Sequence, residues 1–140
     1  MAKKKIDEYP EIQQIIDRLN GGKPHELIAI FIPSHDRRER GLLDKALWEK
    51  QALDLFAKLF TGATAFTSLS GVYQPKKEGR ALYDNPTMIQ SLTATENIMN
   101  EANLMELAEF CHHMGRTTNQ ASIGVVINNK FVDIIIKHDA

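Results

Sequence analysis

An α+β fold follows from three features of this sequence. The run Leu27-Ile28-Ala29-Ile30-Phe31-Ile32 has no polar position on either face, so it reads as a strand covered on both sides, central in its sheet and closed by Pro33. Helical stripes and further β-rich segments then follow in the order helix, strand, strand, helix, strand, strand. The split β-α-β pattern is that of the ferredoxin-like plait, βαββαβ, with an extra N-terminal helix and an extra C-terminal edge strand. Hairpin pairing and right-handed crossovers set the predicted strand order as fifth, fourth, first, third, second.

The 140 residues suit a single α+β domain, 1–140, with 1–22 a helical extension and 25–136 the plait. An apolar fraction of 43% and a charged fraction of 25% are those of an ordinary globular chain. A net charge of -1 argues against nucleic acid as a non-specific partner. Cys111 is the only cysteine, which rules out an internal disulfide; it falls in a helical apolar stripe and is expected to be a buried, inert thiol. Lys3-Lys4-Lys5 is followed by Ile6-Asp7-Glu8 rather than an apolar stretch, and no window reaches a membrane-spanning length. No signal peptide and a cytoplasmic location are therefore expected.

Taken in order, Ile12, Ile15, Ile16 and Leu19 share a helical face, with Pro10 suited to the first turn and Asn20-Gly21-Gly22 as the stop. After the central strand, Leu43, Ala46, Leu47, Leu53, Phe56, Ala57 and Phe60 predict a long amphipathic helix, ended by Thr61-Gly62 with the glycine left-handed. The second strand is expected over Ala65–Tyr73, an exposed loop over Gln74–Arg80, and the third strand over Thr87–Thr93. Residues 95–102 read as a loop with one helical turn. Asn103 and Glu106 form a capping-box pattern ahead of Leu104, Leu107, Ala108, Cys111 and Met114, and Gly115 is the expected end of that helix. Ala121–Ile127 and Lys130–Ile136 are strands joined by the Asn128-Asn129 turn. Helices cover one face of such a sheet, yet its central strands are apolar on both, so the open face needs a cover. The N-terminal helix or a second copy could supply it, and a homodimer through the open sheet face is the more economical partner.

The same topology gathers the polar segments at one edge of the sheet: Ser34–Arg40, the Tyr73–Asp84 loop that includes Arg80, and Arg116–Gln120. The catalytic candidates are His35, Asp36 and Tyr73. The ligand-binding candidates are Arg37, Arg38, Arg116, Thr117, Asn119 and Gln120. For a metal, Asp36, His112 and His113 are the only candidates, and adjacent histidines diverge by about 100° on a helix, so none is expected. Each has a structural explanation beside the functional one: Ser34 and Asp36 could cap a helix, and Thr117-Thr118-Asn119-Gln120 could be a hydrogen-bonded turn. No P-loop, dinucleotide fingerprint, zinc-protease pair or nucleophile elbow occurs, and no cofactor is expected.

Ser34-His35-Asp36-Arg37, Gly62-Ala63-Thr64-Ala65, Gly71-Val72-Tyr73 and Gly115-Arg116-Thr117-Thr118-Asn119-Gln120, followed by Ile123-Gly124-Val125-Val126-Ile127, resemble a bacterial family of small plait proteins with no assigned activity. The resemblance runs from about Glu26 to the end and implies the fold and the importance of these loops. Three functional readings follow. The first is a non-catalytic dimeric binding module, taking a small anionic ligand or nucleotide at the loop edge or a protein partner on an edge strand. The second is a metal-dependent nuclease or other phosphoryl-transfer enzyme using Asp36. The third is an acid-base enzyme using His35 or Tyr73 on a small molecule.

Overall fold

A computed structural model describes residues 10–67, 69–73 and 82–138. The elements are α1 (Pro10–Arg18), β1 (Glu26–Ile32), α2 (Lys45–Phe60), β2 (Thr64–Phe66), β3 (Gly71–Tyr73), β4 (Leu82–Asp84), β5 (Thr87–Thr93), α3 (Thr95–Ile98), α4 (Glu101–Thr117), β6 (Ser122–Ile127) and β7 (Lys130–Ile135). Five strands form one antiparallel sheet in the order β2-β5-β1-β6-β7, with β1 central as its apolar run requires.

Alternation along β1 divides its residues between two environments. Ile28, Ile30 and Ile32 turn to the helices and are fully buried with Phe56, Phe60, Cys111 and Met114. Ala29 and Phe31 look the other way, opposite Gln90 and Met88 of β5. The helix-facing side of β5 carries hydroxyls, and each has a partner, as burial demands. Thr87 donates to Glu49, Ser91 to the Phe60 carbonyl, and Thr93 accepts from Asn97. Two-residue closure at Asn128, with φ of 55°, joins β6 to β7 as the sequence predicts.

Several boundaries differ from the sequence expectation. The expected second strand is broken: Thr64–Phe66 pairs with β5, whereas Gly71–Tyr73 leaves the sheet and pairs with β4 in a separate hairpin. Ser70-Gly71 offers little side chain to hold a strand against its neighbours. The expected Gln74–Arg80 loop lies outside the described residues. In α2 the buried stripe is Trp48, Ala52, Phe56, Leu59 and Phe60; Leu43 precedes the helix and is fully exposed, and Leu47 is half exposed. Its C-cap is Thr61, with φ of 72°, rather than Gly62.

The N-cap of α4 is Asn100, whose side chain accepts from the Asn103 amide. Asn103 itself donates to the carbonyls of Leu59 and Asn97, tying α2 to α4. Gly115 does not end α4. It is buried within the last turn, where a Cβ would stand 2.5 Å from Ile136, so its smallness sets the helix-to-strand distance.

α1 leaves Ile15 and Leu19 exposed, so its apolar stripe is not spent on covering the sheet. The open face displays Phe66, Leu92, Phe131 and Ile135. Gly124 makes room for the rings of Phe131 and Phe31, whose centroids are 6.2 Å apart on that face. No described helix is long and apolar enough to cross a membrane.

Cys111 is fully buried, and burial pushes its thiol up to about 12. A thiol reagent at neutral pH should therefore label the folded protein only as fast as it unfolds, with rapid labelling appearing on addition of denaturant. Fast labelling of the folded protein would contradict this placement of α4.

Candidate functional site

Two loops meet at the end of β1 because each is built to turn sharply. Residues 34–42 fold back on themselves: the amide of Leu42 donates to the Ser34 carbonyl, and His35 bridges to Gly41. The Asp36 carboxylate organises the bend. Oδ1 accepts from the amides of Arg38 and Arg40, and Oδ2 from the Arg40 guanidinium at 2.9 Å. The Arg40 amide, with the Arg38 amide and the Arg40 side chain, holds this carboxyl below its ordinary value despite the opposing effect of burial.

The second loop closes α4. Asn119 adopts φ of 54°, and the Gln120 amide reaches back to the Gly115 carbonyl, a left-handed helix ending in which asparagine takes the usual glycine place. With its backbone committed to the cap, the Asn119 side chain is free to face the other loop. Its Oδ1 accepts from Arg37 Nε at 2.9 Å and Nη2 at 2.6 Å, while the Arg37 amide donates to the Asn119 carbonyl. Gln120 Nε2 donates to the His35 carbonyl, and Thr118 Oγ1 to the Met114 carbonyl. The two loops thus form one braced unit, and Asn119 is both a cap and part of the mouth.

Asp84, at the end of β4, completes the mouth. Its Oδ1 accepts from the Ser34 amide and from the Ser34 hydroxyl. Ser34 Oγ also lies 2.7 Å from His35 Nδ1 and accepts from the Asn85 amide. The His35 and Asp84 side chains remain partly open to solvent, 3.8 Å apart.

The predicted residues fall into distinct places. His35, Asp36, Arg37, Asn119 and Gln120 are brought together; Arg38 is exposed on the first loop, and Arg116 and Thr117 are exposed in the last turn of α4. Tyr73 ends β3, but its side chain and Arg80 are outside the description. His112 and His113 diverge. His112 lines a shallow groove along α4 with Met105, Glu109 and Arg116, whereas His113 packs edge-on against Trp48 of α2 at 5.6 Å. Among the described residues no three of His, Cys, Asp and Glu converge as a metal would require. Sequence topology gathers Asp84 to this edge as the end of the Tyr73–Asp84 loop but does not name it as a site residue, since its partner Ser34 is fifty positions away and nothing local marks the pair.

No family model and no curated protein matches this chain. Among solved structures, it is similar to a phage SAM lyase in complex with S-methyl-5'-thioadenosine, with a TM-score of 0.58 and 12% identity over 85% of this chain and 95% of that one. The same phage enzyme in its apo state gives 0.56 at 13% identity, with the same coverage. The divalent ion tolerance protein CutA1 from Ehrlichia chaffeensis gives 0.49 at 13% identity, over 84% of this chain and 87% of that one. At these identities the likeness to the phage enzyme is one of fold alone.

Proposed function

We propose that the chain is a ferredoxin-like plait that acts as a small-ligand-binding module, a cytoplasmic homodimer through its open sheet face, taking an anionic ligand at the braced loops. One observation carries the reading. The Arg37 guanidinium is held in place by a neutral acceptor, the Asn119 amide oxygen, and among the described residues no ion pair joins it to a carboxylate. Its orientation is set while, among the described residues, no carboxylate pairs with its charge. This combination suits capture of a carboxylate or phosphate, because a preorganised fork loses little entropy on pairing. Arg38, exposed on the first loop, adds positive charge beside Arg37, and Arg116 stands exposed in the last turn of α4, ahead of the second loop.

The nuclease reading finds less support, since both Asp36 oxygens serve the loop's own amides and Arg40. A phage enzyme on this fold was solved with S-methyl-5'-thioadenosine, which puts nucleoside ligands in the panel to be tried without assigning that chemistry here. Calorimetric titration with inorganic phosphate, AMP, ATP and S-methyl-5'-thioadenosine is the test. An anionic member should bind the native chain, and Arg37→Ala should weaken it roughly 10- to 100-fold, the worth of a charged hydrogen-bonded pair. Arg37→Lys should recover only part of the loss. Equal affinity in a folded Arg37→Ala protein would remove Arg37 from any site.

A further inference from the structure

We infer that His35 is the proton acceptor of this mouth, fixed as its Nδ1–H tautomer by a Ser34–Asp84 relay, with Nε2 offered to a small anion that also carries an O–H or N–H. The inference rests on the reading of these loops as an anion-binding site and adds the chemistry of what the anion must bear. The hydrogen-bond inventory at Ser34 decides the tautomer. A hydroxyl has one hydrogen and two acceptor positions. As a carboxylate, Asp84 has no hydrogen to give, so the single hydroxyl hydrogen of Ser34 lies toward Asp84 Oδ1. One acceptor position is taken by the Asn85 amide. The remaining one faces His35 Nδ1 at 2.7 Å, and only a protonated Nδ1 can satisfy it.

A neutral imidazole protonated at Nδ1 carries its lone pair on Nε2, on the side of the ring away from the relay. When Nε2 takes a proton from a ligand O–H or N–H, the bonding pair stays on the ligand and the ring becomes an imidazolium. Its new charge is 3.8 Å from Asp84, which offsets it. Ser34 and Asp84 are positioning residues in this scheme; neither meets the ligand. His35 is tied by its carbonyl to Gln120 and so moves with the braced unit that carries Arg37.

Long-range 1H–15N correlation on histidine-labelled protein, at about pH 8.5 where imidazole is neutral, reads the tautomer directly. His35→Asn identifies the resonances by their loss. The native protein should show His35 with Nδ1 protonated and Nε2 bare, and Ser34→Ala should move it toward the Nε2–H form. A native Nε2–H form, or a tautomer unchanged in Ser34→Ala, would overturn the relay. The native measurement stands alone if the variant does not fold. Inorganic phosphate is the ligand probe, at a pH where the dihydrogen anion is present. It should shift the Nε2 resonance of His35, and phosphate binding without that shift would overturn Nε2 as the acceptor. The tautomer needs no ligand, so its failure is separate from failure of the Arg37 titration.

Discussion

Phe56→Ala should cost about 3–5 kcal/mol, a large part of the roughly 5–15 kcal/mol that holds a domain of this size together. Phe56 is fully buried between α2 and the sheet and meets Phe60 edge-on, with centroids 5.1 Å apart. Its removal forfeits both the transfer of the ring from water and the contacts of every atom around the void. Urea unfolding of the two proteins checks this through the shift in midpoint at constant slope. A loss below about 1 kcal/mol would mean that α2 does not pack on the sheet as described.

On the proposed dimerisation through the open sheet face, Phe131→Asp should leave the protein a monomer, weakening association at least 30-fold if Phe131 is worth the roughly 2 kcal/mol of an interface hot spot. The motive is the open sheet face, where Leu92, Phe131 and Ile135 are 59%, 61% and 66% exposed, and which α1 does not cover. A buried carboxylate with no partner would be costly at the centre of such an interface. Leu43→Asp is the control: Leu43 is fully exposed in the loop before α2, and its charge should leave association unchanged. Sedimentation equilibrium of native and variant proteins is the measurement. A native protein that stays monomeric at about 100 μM, far above the dissociation constant of a stable dimer, would end the proposal.

The mouth was half legible in the sequence. Topology alone sends the end of β1 and the start of β6 to one edge, so the meeting of 34–40 with 116–120 was predictable. The side chains that join there were not. Arg37 and Asn119 are eighty-two positions apart, and neither residue type announces the other. The choice posed between cap and site for Asn119 also dissolves, because its backbone ends α4 while its side chain holds Arg37. Asp36, read as a possible helix cap, caps none, since α2 begins only at Lys45; its carboxylate instead closes a turn by bonding amides two and four residues on.

What the sequence determined by itself is the part of the fold written in local periodicity. The uninterrupted run of β1, the Asn128 turn, the stripe of α4 and the presence of a helix at α2, though not its buried face, were enough to order the strands, because side-chain alternation and hairpin closure are short-range properties. Tertiary structure decided what depends on competition between neighbours. Asn100 rather than Asn103 caps α4, since Asn103 is recruited across to the Leu59 carbonyl. Gly115 lies inside the helix, where its missing side chain leaves room for Ile136, and the second strand breaks where Gly71–Tyr73 pairs with β4 instead of the sheet. Each is a contact between residues far apart in the chain, whose energy exists only once the sheet has brought them together.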